Sequence, residues 1–409
     1  MKPMWTFGGV LAFAILISSA FSAAQSEQVL YSFTSADYVP AGVIFDNQGN
    51  LYGVATGAYG RTYGRVFELS PSAKGWTETV LYTFTGGADG YGPSETESLA
   101  FDTAGNLYGT TVYGGKGAGT VFRLSPAGGG KWTESVIHRF LGSEGAYPET
   151  GVTIAAGKLY GTTTVGTTGS IFEMSPQLGY RVIHRFGQSV KNDGSGPMAA
   201  LTVDSAGNLY GTTYQGGVVG CGLGGLGCGT VFKLIPTSSG GWRYKHIYSF
   251  QGGSDGVRPF GGVVVSPAGI LYGTTWLGGI GTDQCFSNAP GCGTVFELSP
   301  NTDGSYTHNV IYTFLGPPTD GGAPQGLILD SNGNLFGTTQ DGGAFNSGTV
   351  FELVPQGSGW QETVLHSFGD GSDGQSIDTQ PIMDASGNIY GTTYGGGANG
   401  YGTVFEVTP

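Results

Sequence analysis

Short apolar runs separated by turn-forming residues fill the chain after residue 24. A typical run is Trp76-Thr-Glu-Thr-Val-Leu-Tyr-Thr-Phe84, and glycine, asparagine, aspartate or proline punctuates the chain between such runs. Runs of this length that are rich in β-branched and aromatic residues predict β-strands, and the residues between them predict turns. The pattern therefore predicts an all-β protein.

A seven-fold internal repeat organises these strands. The string Gly-Asn-Leu-Tyr-Gly-Thr-Thr, or a close variant, returns at intervals of 50 to 64 residues. Its central aromatic residues are Tyr52, Tyr108, Tyr160, Tyr210, Tyr272, Phe336 and Tyr390. Repeats of this length are typical of stacked or ring-shaped arrays, in which each copy is one structural unit.

Three further segments keep a fixed order within the repeat. Strand A is an apolar segment after an Asp-Gly-x-x-Pro turn, strand B carries Leu-Tyr-Gly, strand C carries Gly-Thr-Val-Phe and strand D is the run typified by residues 76–84. A four-stranded sheet that is apolar on both faces needs a like sheet on each side, and a ring supplies both neighbours. The repeat therefore predicts a seven-bladed β-propeller with four antiparallel strands per blade.

The two ends of the array predict how the ring closes. The chain after residue 24 opens on a lone D strand, Val29-Leu-Tyr-Ser-Phe33, and its last strand is a C strand around Phe405. The N-terminal strand can complete the last blade, so that neither end leaves an open sheet edge. We expect a single domain over residues 25–409.

The N-terminus and the cysteines indicate export. Residues 1–24 combine Lys2, an apolar run and a small-residue end at Ala24, which predicts a secretory signal peptide. The four cysteines form two pairs of equal spacing, Cys221 with Cys228 and Cys285 with Cys292, and no histidine lies near them. In an exported chain we expect two local disulfides, and a secreted, extracellular or periplasmic location.

Composition narrows the function classes. Glycine supplies 79 of 409 residues and charged residues only 11%, which disfavours helices, while a hydrophobic fraction of 39% disfavours disorder. The net charge of −13 disfavours nucleic acid as a partner, because phosphate binding needs a surplus of Lys and Arg. We expect no membrane span after signal cleavage and a monomeric chain.

The succession Gly-Asn-Leu-Tyr-Gly-Thr-Thr, Gly-Gly and Gly-Thr-Val-Phe-x-Leu-x-Pro resembles the GloVer-type (choice-of-anchor) tandem-repeat family of exported bacterial β-propeller-like proteins. The resemblance covers nearly all of the chain after Ala24. It implies an exported repeat protein, often with a C-terminal sorting segment, and no established activity for the repeat. The sequence ends at Pro409 without such a segment, which favours a free secreted protein.

Aromatic residues supply one set of candidate binding residues. The loops from D to the next A and from B to C emerge on one face, because successive antiparallel strands alternate in direction. Four aromatic residues lie just beyond the ends of B strands on that face: Tyr113, Tyr214, Trp276 and Tyr394. Flat rings beside carboxylates suit a carbohydrate, and the alternative is that the rings pack between loops.

Acidic residues in the turns before strand A supply a second set of candidates. They are Asp37, Asp89, Glu144, Asp193, Asp255, Asp320 and Asp373. A ring of carboxylates around a funnel would suit calcium, which is the one cofactor that the sequence suggests. The favoured interpretation is structural, since aspartate before glycine in a turn usually binds its own backbone.

Few features of the sequence favour an enzyme. Three of the five histidines, His138, His184 and His366, occupy the place of a D-strand tyrosine, and no phosphate loop or His-Glu-x-x-His motif is present. The leading hypothesis is an exported, non-catalytic binding module for a glycan or protein partner. The alternatives are a calcium-dependent hydrolase or lyase of propeller type and a structural cell-envelope protein.

Overall fold

Seven antiparallel sheets, six of four strands and one in which strand A is split to give five, form the computed structural model, which has the predicted seven-bladed β-propeller fold. It describes residues 25–35, 38–57, 62–93, 99–165, 168–176, 178–187, 193–218, 220–221, 225–279, 285 and 291–409. The predicted signal peptide and the candidate Asp37 lie outside the described residues. Within the described residues, the structure contains no helix with the length and apolar character that crossing a membrane requires.

Strands A to D follow one another in each of the first four blades. The N-terminal strand is β1 (Ser26–Ser32). Blade 1 contains β2 (Tyr38–Phe45), β3 (Leu51–Gly57), β4 (Arg65–Ser72) and β5 (Gly75–Thr83). Blade 2 contains β6 (Tyr91–Pro93), β7 (Ala100–Phe101), β8 (Leu107–Tyr113), β9 (Thr120–Gly128) and β10 (Lys131–Arg139). Blade 3 contains β11 (Thr153–Ala155), β12 (Lys158–Thr163), β13 (Ser170–Ser175) and β14 (Gly179–Arg185). Blade 4 contains β16 (Thr202–Val203), β17 (Leu209–Thr213), β19 (Thr230–Pro236) and β20 (Trp242–Ser249), with a short ladder of β15 (Gly194–Ser195) and β18 (Gln215–Gly216).

The last three blades repeat this order. A 3-10 turn (Gly253–Asp255) precedes blade 5, which contains β21 (Val264–Val265), β22 (Leu271–Thr275), β23 (Thr294–Pro300) and β24 (Tyr306–Thr313). Blade 6 contains β25 (Gly321–Leu329), β26 (Leu335–Gly342), β27 (Thr349–Gln356) and β28 (Gly359–Ser367). Blade 7 contains β29 (Ile382–Met383), β30 (Ile389–Thr393) and β31 (Thr403–Thr408). Its fourth strand is β1, which runs antiparallel to β31 with Ser26 opposite Thr408.

Each blade packs the phenylalanine of strand C onto the glycine of strand B. In blade 5 a Cβ atom built on Gly273 would lie 2.5 Å from Phe296 Cζ, so only glycine leaves room for the ring. Phe296 is fully buried. The same contact joins Gly53 to Phe67, Gly109 to Phe122, Gly161 to Phe172, Gly211 to Phe232, Gly337 to Phe351 and Gly391 to Phe405. This contact explains why Leu-Tyr-Gly and Thr-Val-Phe recur together in the sequence.

Neighbouring blades are joined by pairs of buried phenylalanines. The last phenylalanine of each D strand meets the C-strand phenylalanine of the next blade, with ring centroids 4.7 to 5.5 Å apart. Such tilted or edge-on pairs are favourable beyond their burial. The series runs from Phe84 with Phe122 round to Phe33 of β1 with Phe67 of blade 1, so that it passes through all seven blades.

The turn between strands A and B explains the rest of the repeat motif. In blade 7, Asp384 accepts hydrogen bonds from the backbone of Ser386 and Asn388, from the Asn388 amide and from Tyr390 Oη at 2.8 to 3.1 Å. Burial alone would raise the pKa of Asp384, but these donors outweigh it and lower the pKa. The aspartate, asparagine and tyrosine of the repeat therefore form one local network.

Both predicted disulfides are present. Cys221 is bonded to Cys228 and Cys285 to Cys292, each within the B-to-C loop of its own blade. Disulfides persist in oxidising compartments, which is consistent with an extracellular or periplasmic environment.

Candidate binding site at the funnel mouth

A cavity of about 210 Å³ lies where the ends of B strands and the beginnings of A strands converge. Its lining comes from blades 1, 4, 5, 6 and 7, so it spans the axis of the ring. Cavities in which several structural units meet are the usual places for ligands, because each unit contributes a different side chain. We call this cavity the funnel mouth.

Three of the four aromatic candidates meet at the funnel mouth. Tyr214, Trp276 and Tyr394 all line it, each from the residue that follows the Thr-Thr end of its B strand. Tyr394 is 55% exposed. The Tyr214 ring packs edge-on to Phe260 at 6.2 Å, and the Arg258 guanidinium lies 4.8 Å from the Tyr214 centroid. The cavity therefore presents aromatic surface from three blades.

Tyr113, the fourth aromatic candidate, lies elsewhere. Its ring stacks on Tyr91 at 5.2 Å and contacts Tyr147 at 5.6 Å, and Tyr91 in turn meets Tyr63 at 5.8 Å. These four tyrosines form a row across blades 1 to 3. The sequence left open whether Tyr113 binds a ligand or packs against other loops. In the structure its ring packs against Tyr91 and Tyr147.

Polar side chains from blades 6 and 7 complete the funnel mouth. Gln325 is 4% exposed and its Nε2 donates to the Ala323 carbonyl, while its Oε1 accepts no hydrogen bond from the residues that the structure describes. Trp276 Nε1 donates to Gln340 Oε1 at 3.3 Å. Asp378 also lines the cavity. The site therefore combines aromatic faces with amide and carboxylate acceptors.

Two carboxylates influence each other near this cavity. Burial and the negative charge of Asp378 raise the pKa of Asp341 to about 6. Asp341 follows Gln340 in β26 and does not itself line the cavity, but the charge of the lining residue Asp378 acts on it. A carboxyl group with such a pKa holds a proton in mildly acidic solution, and Asp378 contributes negative charge to the same side of the funnel mouth.

The loop carboxylates have a different arrangement. We use this name for Asp89, Glu144, Asp193, Asp255, Asp320 and Asp373. Each one pairs with the tyrosine or histidine of the preceding D strand at 2.8 to 3.3 Å: Tyr82, His138, His184, Tyr248, Tyr312 and His366 respectively. The described residues contain no group of three or more His, Cys, Asp or Glu side chains that could hold a metal ion. Calcium binding by these residues stays a prediction.

Backbone donors also bind the loop carboxylates. Asp89 accepts from the Thr85 amide and hydroxyl, both at 2.7 Å, and from the Gly87 amide at 3.2 Å. Burial alone would raise the pKa of Asp89, but the hydrogen bonds from Thr85 and Tyr82 lower it. These contacts are those expected of a structural turn, and the histidines act in them as replacements for tyrosine.

The repeat whose strands form this site also identifies the family to which the chain belongs. The sequence model of the Gloeobacter/Verrucomicrobia repeat matches residues 16–223, 135–286 and 280–409. The chain belongs to this repeat family. No functionally curated protein matches the sequence. In this Gloeobacter/Verrucomicrobia repeat protein the matched segments together span all seven blades.

Solved structures share the fold of this repeat protein at low sequence identity. A putative 6-phosphogluconolactonase from Bacteroides uniformis is 12% identical, with a TM-score of 0.52 over 87% of this chain and 89% of that chain. A putative 6-phosphogluconolactonase from Bacteroides fragilis is 12% identical with a TM-score of 0.49, over 93% and 100%. A putative oxidoreductase (glucose dehydrogenase) from Thermus thermophilus is 15% identical with a TM-score of 0.46, over 94% and 100%. The first likeness shows a common fold.

The glutamines and Asp378 were not among the residues that the sequence suggested. Gln340 follows Thr338 and Thr339 at the position where blades 4, 5 and 7 carry Tyr214, Trp276 and Tyr394. A comparison of that one position across the repeat protein's blades would have found Gln340. Gln325 lies within strand A of blade 6 and Asp378 precedes strand A of blade 7, and neither has such a marker, because this part of the repeat differs in length and composition between blades.

Proposed function

We propose that the funnel mouth is a carbohydrate-binding site and that the protein is an exported, non-catalytic binding module. The observation that carries this proposal is the convergence of Tyr214, Trp276 and Tyr394 on one cavity that also contains Gln325 and Asp378. Sugars present apolar ring faces, which pack on aromatic rings, and hydroxyl groups, which donate to acceptors such as Gln325 Oε1. Binding proteins place these two kinds of group together.

The position of the cavity supports this proposal. Its lining residues follow B strands or begin A strands at the loop face, where a chain of sugar units could extend across the surrounding loops. The disulfides hold the B-to-C loops of blades 4 and 5, which follow Tyr214 and Trp276 in the sequence. A fixed loop limits the side-chain and backbone freedom that binding would otherwise remove.

A glycan array followed by calorimetric titration with the best oligosaccharide tests the proposal. We expect Trp276→Ala, Tyr214→Ala and Tyr394→Ala each to weaken binding by about five-fold or more. Tyr113→Ala is the matched control, because this tyrosine lies on the same face outside the cavity, and it should retain the wild-type affinity. Wild-type affinity in all three cavity variants would refute the proposal.

The carboxylates near the funnel mouth support a second candidate function. A propeller hydrolase or lyase would need a proton donor beside its substrate, and Asp341 has a pKa raised to about 6 by burial and by Asp378. Release of reducing ends or unsaturated products from the bound oligosaccharide would support this function. Loss of that release in Asp341→Asn, with binding retained, would assign Asp341 the role of the acid. A chelator arm would separate a calcium-dependent reaction from a metal-independent one.

A further inference from the structure

A second and larger cavity lies between blades 2 and 3, away from the funnel mouth. Its volume is about 520 Å³, and apolar side chains from both blades line it, including Ile137, Ile154, Leu159 and Met174. Tyr108 of strand B in blade 2 also lines it. We call it the interblade cleft.

Three of the other interfaces show what is missing from this one. The B-strand tyrosine of one blade meets a tryptophan at the start of strand D in the next blade, as in Tyr52 with Trp132, where the centroids are 6.2 Å apart. Tyr160 with Trp242 and Tyr272 with Trp360 have centroid distances of 5.7 Å. The equivalent partner of Tyr108 would come from blade 3.

Blade 3 does not have this tryptophan. Its strand pairing sets Met174 opposite Tyr180, as blade 4 sets Leu234 opposite Tyr244. Trp242 precedes Tyr244 by two residues, so the corresponding residue of blade 3 is Leu178. Leu178 lies in the short turn before β14 and is 57% exposed. It therefore leaves the ring of Tyr108 without the cover that an indole gives at three other interfaces.

Strand A of blade 3 also contributes a smaller side chain than strand A of blades 1 and 2. Phe101 packs edge-on to Tyr52 at 5.0 Å, and Phe45 packs edge-on to Tyr390 at 4.9 Å. The pairing of Ile154 with Leu159 corresponds to that of Phe101 with Leu107, so Ile154 takes the place of the phenylalanine. The missing tryptophan, with Ile154 where the preceding blade carries a phenylalanine, leaves the space beside Tyr108.

The cleft has a cationic group that is not fully bonded. Arg123 lines it, and its buried Nε has no hydrogen-bond acceptor among the residues that the structure describes. Lys158 also lines it and is paired with Glu173 at 2.8 Å. The lining carboxylate Asp102 already accepts from Ala104, Asn106 and Tyr108. The unfilled hydrogen-bonding position of the cleft is therefore a donor, Arg123 Nε, and an anion beside Arg123 would accept from it.

We propose that the interblade cleft binds a small aromatic carboxylate, whose ring occupies the place of the missing tryptophan and whose carboxylate binds Arg123. An apolar cavity of about 150 Å³ is enough to hold a benzene ring, so the cleft has room for a bicyclic ring and its acid group. The ring packs edge-on to Tyr108, as Trp132 does to Tyr52. The carboxylate supplies the acceptor that Arg123 Nε needs, in a charge-assisted hydrogen bond.

Calorimetric titration with indole-3-acetate and with indole tests this proposal on the full-length mature protein. We expect Arg123→Gln to weaken indole-3-acetate by about ten-fold or more and to leave indole within two-fold, because only the acid uses the guanidinium. The matched control is Arg243→Gln, which removes one positive charge from an exposed position on β20 and should leave both affinities unchanged.

A second variant fills the cleft from within. Ile154→Phe introduces the residue that blades 1 and 2 carry at this position, so the fold is expected to accept it, and we expect it to weaken both probes by about ten-fold or more. A thermal melt at or above that of the wild type verifies that the variant is folded. The proposal is overturned if indole-3-acetate does not bind the wild-type protein at millimolar concentration, or if Ile154→Phe binds both probes as the wild type does.

Discussion

Tyr248 Oη donates a hydrogen bond of 2.8 Å to Asp255 Oδ1 at the outer end of blade 4. His308 of blade 5 lies flat on the Tyr248 ring, with centroids 4.2 Å apart, and its Nδ1 is 3.2 Å from Asp255 Oδ1. His138 with Tyr180 and His184 with Tyr244 form the same stack across the two preceding interfaces, at 3.9 Å. The loop carboxylates therefore fix a D strand to its loop and, through that strand, to the next blade.

Removal of a loop carboxylate is expected to destabilise the fold. Asp89→Ala leaves the Thr85 donors and Tyr82 Oη without their acceptor in a site that is 8% exposed. We expect a loss of about 3 kcal/mol in the free energy of unfolding, measured by urea denaturation. Asp370→Ala, at an exposed position of another such loop, should change it by no more than about 0.5 kcal/mol. Equal effects in the two variants would contradict the structural role.

The pH dependence of stability follows from glutamates that face these carboxylates. Burial and the charge of Asp320 raise the pKa of Glu362 from 4.5 to about 7. The folded state thus holds this proton more tightly than the unfolded chain, so the group's stabilising contribution is complete below pH 4.5 and disappears as the pH rises to about 7. Burial and Asp373 raise the pKa of Glu27 to about 7 as well, which adds to the same trend.

Glu362→Gln tests this dependence. The variant should be more stable than the wild type at pH 8 by about 1 kcal/mol, after allowance for solvent screening of a partly exposed group, and the difference should shrink towards pH 4.5. Urea denaturation at four pH values measures it. Asp370→Asn is the control and should follow the wild-type curve. If the wild type instead became more stable relative to Glu362→Gln between pH 5 and pH 8, the raised pKa of Glu362 would be contradicted.

The glycine of strand B is expected to be irreplaceable. Gly273→Ala places a Cβ atom 2.5 Å from Phe296 Cζ, and Phe296 is fully buried. Overpacking of this kind costs about 1 to 3 kcal/mol, so the thermal midpoint should fall clearly. Gly359→Ala in β28, where an added Cβ atom meets nothing within 4 Å, should leave the midpoint within about 1 °C. A tolerated Gly273→Ala would show that the ring can move aside.

The N-terminal strand is expected to act as a full member of blade 7. Phe33→Ala removes a fully buried ring that meets Phe67 of blade 1 at 5.4 Å, just as Phe250→Ala removes one that meets Phe296 at 5.1 Å. Both variants should lose about 3 to 5 kcal/mol of stability. A near-neutral Phe33→Ala beside a damaging Phe250→Ala would show that β1 does not join the first and last blades.

Repetition made the fold predictable from the sequence, and departures from repetition made the site hard to predict. Seven copies of Leu-Tyr-Gly and Thr-Val-Phe specify one packing contact, which the Gly273 to Phe296 pair shows directly. Tyr214, Trp276 and Tyr394 could be identified because they share one position in the repeat. Gln325 and Asp378 could not, since their place in the cavity depends on how strand A and the segment before it are arranged around the axis.

The interblade cleft could not be predicted from the sequence either. The absence of a tryptophan at Leu178 is visible in the sequence once the repeats are aligned on Phe186. Its consequence is not, because whether a missing ring leaves a cavity or is filled by neighbours depends on packing across two blades. Only the structure places Tyr108, Ile154 and Arg123 around one space.

Hydrogen–deuterium exchange with and without a saturating oligosaccharide shows whether the funnel mouth is the ligand site. We expect slower exchange in residues 214–216, 276–279 and 392–396 and no change in the turns at residues 46–50 and 102–106 on the opposite face. An oligosaccharide that binds while exchange at the funnel mouth stays unchanged would contradict the account.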